Sequence, residues 1–193
     1  MPLLRRALAL ACASTALLPM ARPLRAAPGS GGVAWDFRFP ALEEGEPEIQ
    51  LSAWRGSVLL VANTASFCGF TRQFEEMEHL HQALRPQGLR VLGVPSNDFR
   101  QEAESRARIA TVCRTDHGVT FPMAGPQTVT GPRAHPFFRW AAAQAGPPRW
   151  NFHKYVVGRD GRVRGAVPPQ AGMRPVEVLV RRALAEAPPQ DGS

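Results

Sequence analysis

A lone cysteine, Cys68, sits in the stretch NTASFCGFTRQ (63–73), between a small, polar turn and the start of a helical pattern. A thiol placed where a strand hands over to a helix lies near unpaired backbone N–H groups and the positive end of the helix dipole. That setting favours thiolate, the form of cysteine that attacks an electrophile. Gly69 permits a tight turn and leaves room for a small reactant. On position alone a second reading stands beside this one: Cys68 as a small buried hydrophobe. Further residues bear on the choice. Trp150 and Asn151 place an indole N–H beside a side-chain amide at a loop-to-strand boundary. VPSNDF (94–99) follows an apolar strand pattern and should lie near the sheet end carrying Cys68, with Gln101 just beyond as another neutral donor. A thiolate held by neutral donors keeps its nucleophilicity. No histidine or second cysteine adjoins Cys68, which argues against a cysteine protease and against a CxxC oxidoreductase.

The elements that must position these residues are legible as hydrophobic patterns. SVLLVANTA (57–65) is a continuous apolar run, the mark of a fully buried strand. From Gly69 to Leu84, Phe70, Phe74, Met77, Leu80, His81 and Leu84 recur at helical spacing, with Glu75, Glu76 and Glu78 opposite. GLRVLGVPS (88–96) predicts a second buried strand, SRARIATVCRTDHG (105–118) a second helix, and VTFPM (119–123) a short strand. HPFFRWAAAQAG (135–146) predicts a third helix. NFHKYVVGRDGRVRGAV (151–167) predicts two strands joined at Asp160-Gly161, and PVEVLVRRALAEA (175–187) a closing helix. The order β-α-β-α-β-α-β-β-α predicts an α/β fold with a central mixed sheet between helices. His153 reads as a solvated strand-edge side chain. His79 and His81, two apart on a helix, face different ways and make no metal pair. Neither metal nor cofactor is expected.

Composition narrows the classes further. The 193 residues suffice for one domain with a proper core. The net charge of +7 comes from 22 Arg and one Lys against 16 acids. Four of the arginines (Arg5, Arg6, Arg22, Arg25) fall in the first 26 residues, which hold no acid, so the rest carries +7 less four, about +3. No basic run interleaved with aromatics follows, which speaks against nucleic-acid binding. The leader has Arg5 and Arg6, then an apolar run from Ala7 to about Leu18, small residues, and a Pro/Gly linker. That is the order of a bacterial export signal, read here as residues 1–27, with the mature protein in the periplasm. The apolar run is too short for an ordinary membrane span, so no stable insertion is expected. Loss of the leader removes Cys12 and leaves Cys68 and Cys113, either a structural disulfide or a pair that opens and closes.

The blocks NTASFCGFTRQFEEMEHLH, VLGVPSNDFRQE, GVTFPM, VTGPRAHPFFRW and RWNFHKYVVGRDGRV, in this order and spacing, resemble the glutathione peroxidase family over about residues 33–187. Residues 188–193 remain as a flexible tail. The resemblance implies a thioredoxin-like fold and a peroxidase of the cysteine type, reducing hydrogen peroxide and organic or lipid hydroperoxides in the response to oxidative stress. It places the family's reactive residue on Cys68 and its donors on Gln101, Trp150 and Asn151. Arg100 alone separates Phe99 from Gln101, one residue fewer than the family usually has. Ser96 stands where a Cys is frequent, and His153 where Thr follows the WNF block.

Cys113, 45 residues beyond Cys68, reads from its helical position as core. The resemblance instead implies a resolving cysteine, forming a Cys68–Cys113 disulfide that a thioredoxin-like dithiol reductant reopens, with glutathione as the less favoured alternative. The short segment QAGPPR before Trp150 implies a monomer with an open site. Two other readings use the same residues: a redox relay passing its disulfide to a partner protein, and a non-catalytic domain held by a static bridge.

Overall fold

The computed structural model describes residues 32–188, so the segment read as an export signal, Cys12 and the tail expected beyond residue 188 lie outside it. Its centre is a four-stranded mixed sheet. Strand β3 (Val58–Thr64) is buried along its whole length, as its unbroken apolar sequence requires. It pairs in parallel with β4 (Leu89–Pro95), from Val58 opposite Leu89 to Thr64 opposite Pro95. On its other side it runs antiparallel to β5 (Lys154–Val157), with Ala62 opposite Lys154. β5 turns through Asp160 and Gly161 into β6 (Val163–Val167), which lies at the sheet edge opposite β4. A short antiparallel ribbon, β1 (Arg38–Phe39) with β2 (Ile49–Gln50), precedes the sheet.

Alternation along β3 sorts the core into two layers. Val58, Leu60 and Ala62 face the cluster that contains Phe74, Met77, Leu80 and Leu84 of α1 (Gln73–Leu84) and Val176, Val180 and Ala183 of α4 (Arg174–Ala185). Leu59 and Val61 face Phe137, Phe138, Trp140 and Ala141 of α3 (Pro136–Ala145), together with Trp35, Phe37 and Phe39 of the N-terminal segment. A sheet apolar on both faces needs helices on both, and it has them.

Three expectations are corrected. The first long helix begins at Gln73 rather than near Gly69. Residues 68–74 instead make a chain of tight turns, with Thr71 N–H on Cys68 O, Gln73 N–H on Phe70 O and Phe74 N–H on Thr71 O. The second helix is regular only as α2 (Arg106–Ala110), capped by Ser105 Oγ accepting from Arg108 N–H, and then widens into a π-helical turn, Thr111–Asp116. Finally, residues 119–123 form no strand. The N–H groups of Thr120 and Phe121 go to Glu78 Oε2 at 2.8 and 3.4 Å, and Pro122 has no N–H to give. What remains is one parallel bridge, Met123 to Gly93. A side chain at Gly93 would stand 2.3 Å from Met123 Sδ, so the glycine lets this segment lie against β4.

Candidate active site

Three connections meet at one end of the sheet. Residues 65–72 leave β3, residues 96–103 leave β4, and residues 146–153 enter β5, whose antiparallel direction brings its start to where β3 ends. Cys68 sits in the first of them, 4% exposed, and its Sγ accepts the Phe70 N–H at 3.5 Å. The second connection is stitched to the first: Phe67 N–H donates to Gln101 O at 2.9 Å. Gln101 is thus fixed one residue from the thiol across the two loops.

The third connection is held by Asn63, the penultimate residue of β3. Its N–H donates to His153 O at 3.2 Å, its O accepts from Phe152 N–H at 2.6 Å, and its Nδ2 donates to Trp150 O at 3.1 Å. Between these anchors Phe152 turns the chain with φ of 61°, a left-handed conformation that costs a non-glycine residue about 1 kcal/mol or more. The turn is stabilised by the Phe152 ring, fully buried and edge-on to Phe74 at 5.0 Å. Asn151 is thereby driven inward, 0% exposed, and its Nδ2 donates to Gln101 Oε1 at 2.9 Å.

That bond leaves the two N–H groups of Gln101 free for a sulfur or oxygen, while the buried Asn151 Oδ1 has no partner. The opposite amide orientation keeps the link, with Gln101 Nε2 donating, and turns the orphan position into an N–H donor. Either way the pair presents a free amide N–H on the loops that adjoin the one carrying Cys68. Trp150 shares the loop but stands at the rim, 37% exposed, with its ring tilted against Phe99 at 5.5 Å. Phe67, next to Cys68 in the chain, is 59% exposed.

Cys113 lies in the π-helical turn, 1% exposed, in the same apolar cluster as Cys68, and both thiols are free. Its Sγ approaches Ala110 O at 3.6 Å. Burial pushes its pKa up to about 11, with the neighbouring Arg114 only partly offsetting this. Arg114 ties the turn down: Nη1 donates to Val119 O and Phe121 O at 3.1 and 2.8 Å, and Nη2 pairs with Glu43 at 3.2 Å.

The expected solvated His153 is instead buried, 7% exposed and edge-on to Tyr155 at 4.8 Å. Burial lowers its pKa to about 4, with Lys154 adding to the shift, so it stands neutral at physiological pH. The chain's one lysine, Lys154, is 0% exposed and underlies the site. Its Nζ donates to Gln73 Oε1 and, at 2.7 Å, to Phe152 O, joining the start of α1 to the Trp150 loop. Burial lowers its pKa to about 8, partly offset by Glu76.

Asn63, Lys154, Ser66 and Glu102 were not singled out from the sequence. Each reads as an ordinary strand or loop residue until the loops are brought together. Among the described residues no group of His, Cys, Asp or Glu is arranged to hold a metal ion, and no helix is long and apolar enough to cross a membrane.

Comparison with known proteins finds relatives in sequence and in fold. The family described as glutathione peroxidase matches residues 36–142. A glutathione peroxidase of Lactococcus lactis subsp. cremoris (strain MG1363) is 35% identical over 154 residues, covering 77% of this chain and 98% of that one. The crystal structure of Trgpx in apo form superposes with a TM-score of 0.67 at 31% identity, covering 82% of this chain and 99% of that chain. A thioredoxin-family thiol:disulfide interchange protein from Chlorobium tepidum TLS, 15% identical, shares the fold at a TM-score of 0.57, over 77% of this chain and 93% of that one.

Proposed function

The chain belongs to the glutathione peroxidase family, oxidoreductases acting on peroxides with a thioredoxin-like fold, and from that premise we propose a two-cysteine cycle for it. The Cys68 thiolate attacks the terminal peroxide oxygen, the O–O bond breaks, and water or an alcohol leaves after taking up one proton. Cys68 becomes sulfenic acid. The Gln101 and Asn151 amides donate to the thiolate and then to the departing oxygen, with the Trp150 indole closing the outer side. Cys113 condenses with the sulfenic acid, releasing water and forming a Cys68–Cys113 disulfide. A dithiol protein reduces that bond, leaving two thiols here and a disulfide in the donor.

The observation that supports this reading is the stitching of the Cys68 loop to the linked Gln101 and Asn151 amides, together with a second thiol in the same apolar cluster, set in a π-helical turn. The buried Cys113 thiol holds its proton, since its pKa of about 11 leaves little thiolate at neutral pH. The turn therefore has to loosen before Cys113 reacts, and π-helical turns recur at sites of this kind. The exposed Phe67 and the Trp150–Phe99 pair suit organic and lipid hydroperoxides. With the leader read as an export signal, the dithiol donor belongs to the periplasm, and the chain acts as a monomer.

Rapid-mixing oxidation of the wild type, Cys68→Ser and Cys113→Ser, with mass analysis of the products, tests the cycle. Cys68→Ser should lose peroxide consumption entirely. Cys113→Ser should stop at sulfenic acid while the wild type closes the disulfide. Undiminished turnover of Cys113→Ser with a thioredoxin-like donor would remove Cys113 from the mechanism.

A further inference from the structure

One buried group beside the site has no part in this cycle. Glu102 follows Gln101, is 9% exposed, and is in no ion pair among the described residues. A single oxygen, Oε1, accepts three hydrogen bonds: Ser66 N–H at 3.0 Å, Ser66 Oγ–H at 2.5 Å and Ala103 N–H at 2.8 Å. The residue's own N–H donates to Asn97 Oδ1 at 3.3 Å. Burial raises its pKa, and the bonds from Ser66 and Ala103 work against that rise. Placing a carboxylate there without a cation is costly unless its acceptor capacity is used.

The position explains the use. Ser66 lies two residues before Cys68, and Glu102 lies one after Gln101. The Phe67 N–H bond to Gln101 O runs between them. Together these bonds tie residues 66–67 to residues 101–103, the two loops that set the spacing from sulfur to amide donor. We propose that Glu102 is a positioning residue for peroxide reduction, its Oε1 clamping Ser66 so that Cys68 and the linked Gln101 and Asn151 amides hold their reactive spacing. The proposal rests on the cysteine-peroxidase reading above. Because all three bonds fall on one oxygen, an amide oxygen at the same place serves the same donors.

The test separates the two half-reactions. Glu102→Ala should slow Cys68 oxidation by peroxide about 10- to 100-fold, the scale of a small misplacement of reacting groups. Reduction of its disulfide by a dithiol donor should stay within about threefold of wild type, since that step does not use the amide donors. Glu102→Gln should recover oxidation to within about fivefold of wild type. Ser66→Ala should slow oxidation by a smaller factor and add nothing to Glu102→Ala in the double variant, as expected of partners in one interaction.

A wild-type oxidation rate in folded Glu102→Ala, additive effects with Ser66→Ala, or a Glu102→Gln as slow as Glu102→Ala would each overturn the clamp. If Glu102→Ala fails to fold, Ser66→Ala decides alone, and an unchanged oxidation rate there refutes the proposal. A wild-type Cys68 inert to peroxide would instead defeat the peroxidase cycle, and the clamp with it.

Discussion

At the scale of single residues the site is a set of polar groups forced into uncommon positions by short connections. Arg100 shows how. Arg100 alone separates Phe99 from Gln101, and it closes the loop with φ of 58° and an N–H bond to Asn97 O at 2.9 Å. Arg100→Gly should therefore raise stability by about 0.5–1 kcal/mol, and Arg100→Val should lower it by about 1–2 kcal/mol, both read from chemical denaturation. Since its side chain is exposed, Arg100→Gly should leave the peroxide rate within about twofold. Cys68, Gln101 and Asn151 could be singled out from the sequence, and the fold links the loops that carry them; Trp150 lies partly exposed, its ring against Phe99. Glu102 and Ser66 could not be singled out, because a Glu beside a Gln in a loop reads as solvated surface. Only the folded spacing shows one carboxylate oxygen receiving three donors. His153 misled for the converse reason, since its burial depends on Tyr155 and the neighbouring strand rather than on its own segment.

At the scale of elements, the strands and long helices followed from their periodicity, and the departures come from long-range hydrogen bonds. The π-helical turn is invisible to pattern reading because Ile109, Val112 and Cys113 stay buried whether or not the helix widens. The strand expected at 119–123 is undone by Glu78, which reaches across from α1 to take its donors. The proposed cycle requires this turn to move, and Arg114 holds it through Val119, Phe121 and Glu43. Arg114→Ala should speed alkylation of Cys113 about tenfold in a Cys68→Ser background, equivalent to about 1.4 kcal/mol off local opening. Mass-resolved labelling with a thiol reagent measures it. Protection equal to that of the parent would show that apolar packing, not the arginine, keeps the turn closed.

At the scale of the whole molecule, the two apolar layers enclose ionisable groups that resist acid. His135, which accepts from Phe137 N–H at 3.2 Å, and His153 both have pKa values lowered by burial to about 4. Between pH 6.5 and 4 the unfolded chain takes up protons that the fold refuses. Their contribution is thus complete above pH 6.5 and is lost as pH falls towards 4, a loss of about 3 kcal/mol for each histidine. Urea denaturation at pH 7 and pH 4.5 should show it, and replacing His153 by Phe should flatten the difference. On the alkaline side the effects oppose. Lys154, lowered to about 8, favours the fold as pH rises towards 10.5, while Cys113 stops favouring it as pH rises from 9 through 11.

The buried lysine carries a consequence beyond acid and base. Lys154 is the sequence's one lysine and is wholly enclosed beneath the site. Acylating reagents, aldehydes and amine-directed crosslinkers therefore find no lysine side chain to modify on the native protein. A mark on Lys154 records that the sheet and the Trp150 loop have come apart, which makes this one amine a chemical witness of unfolding at the site itself.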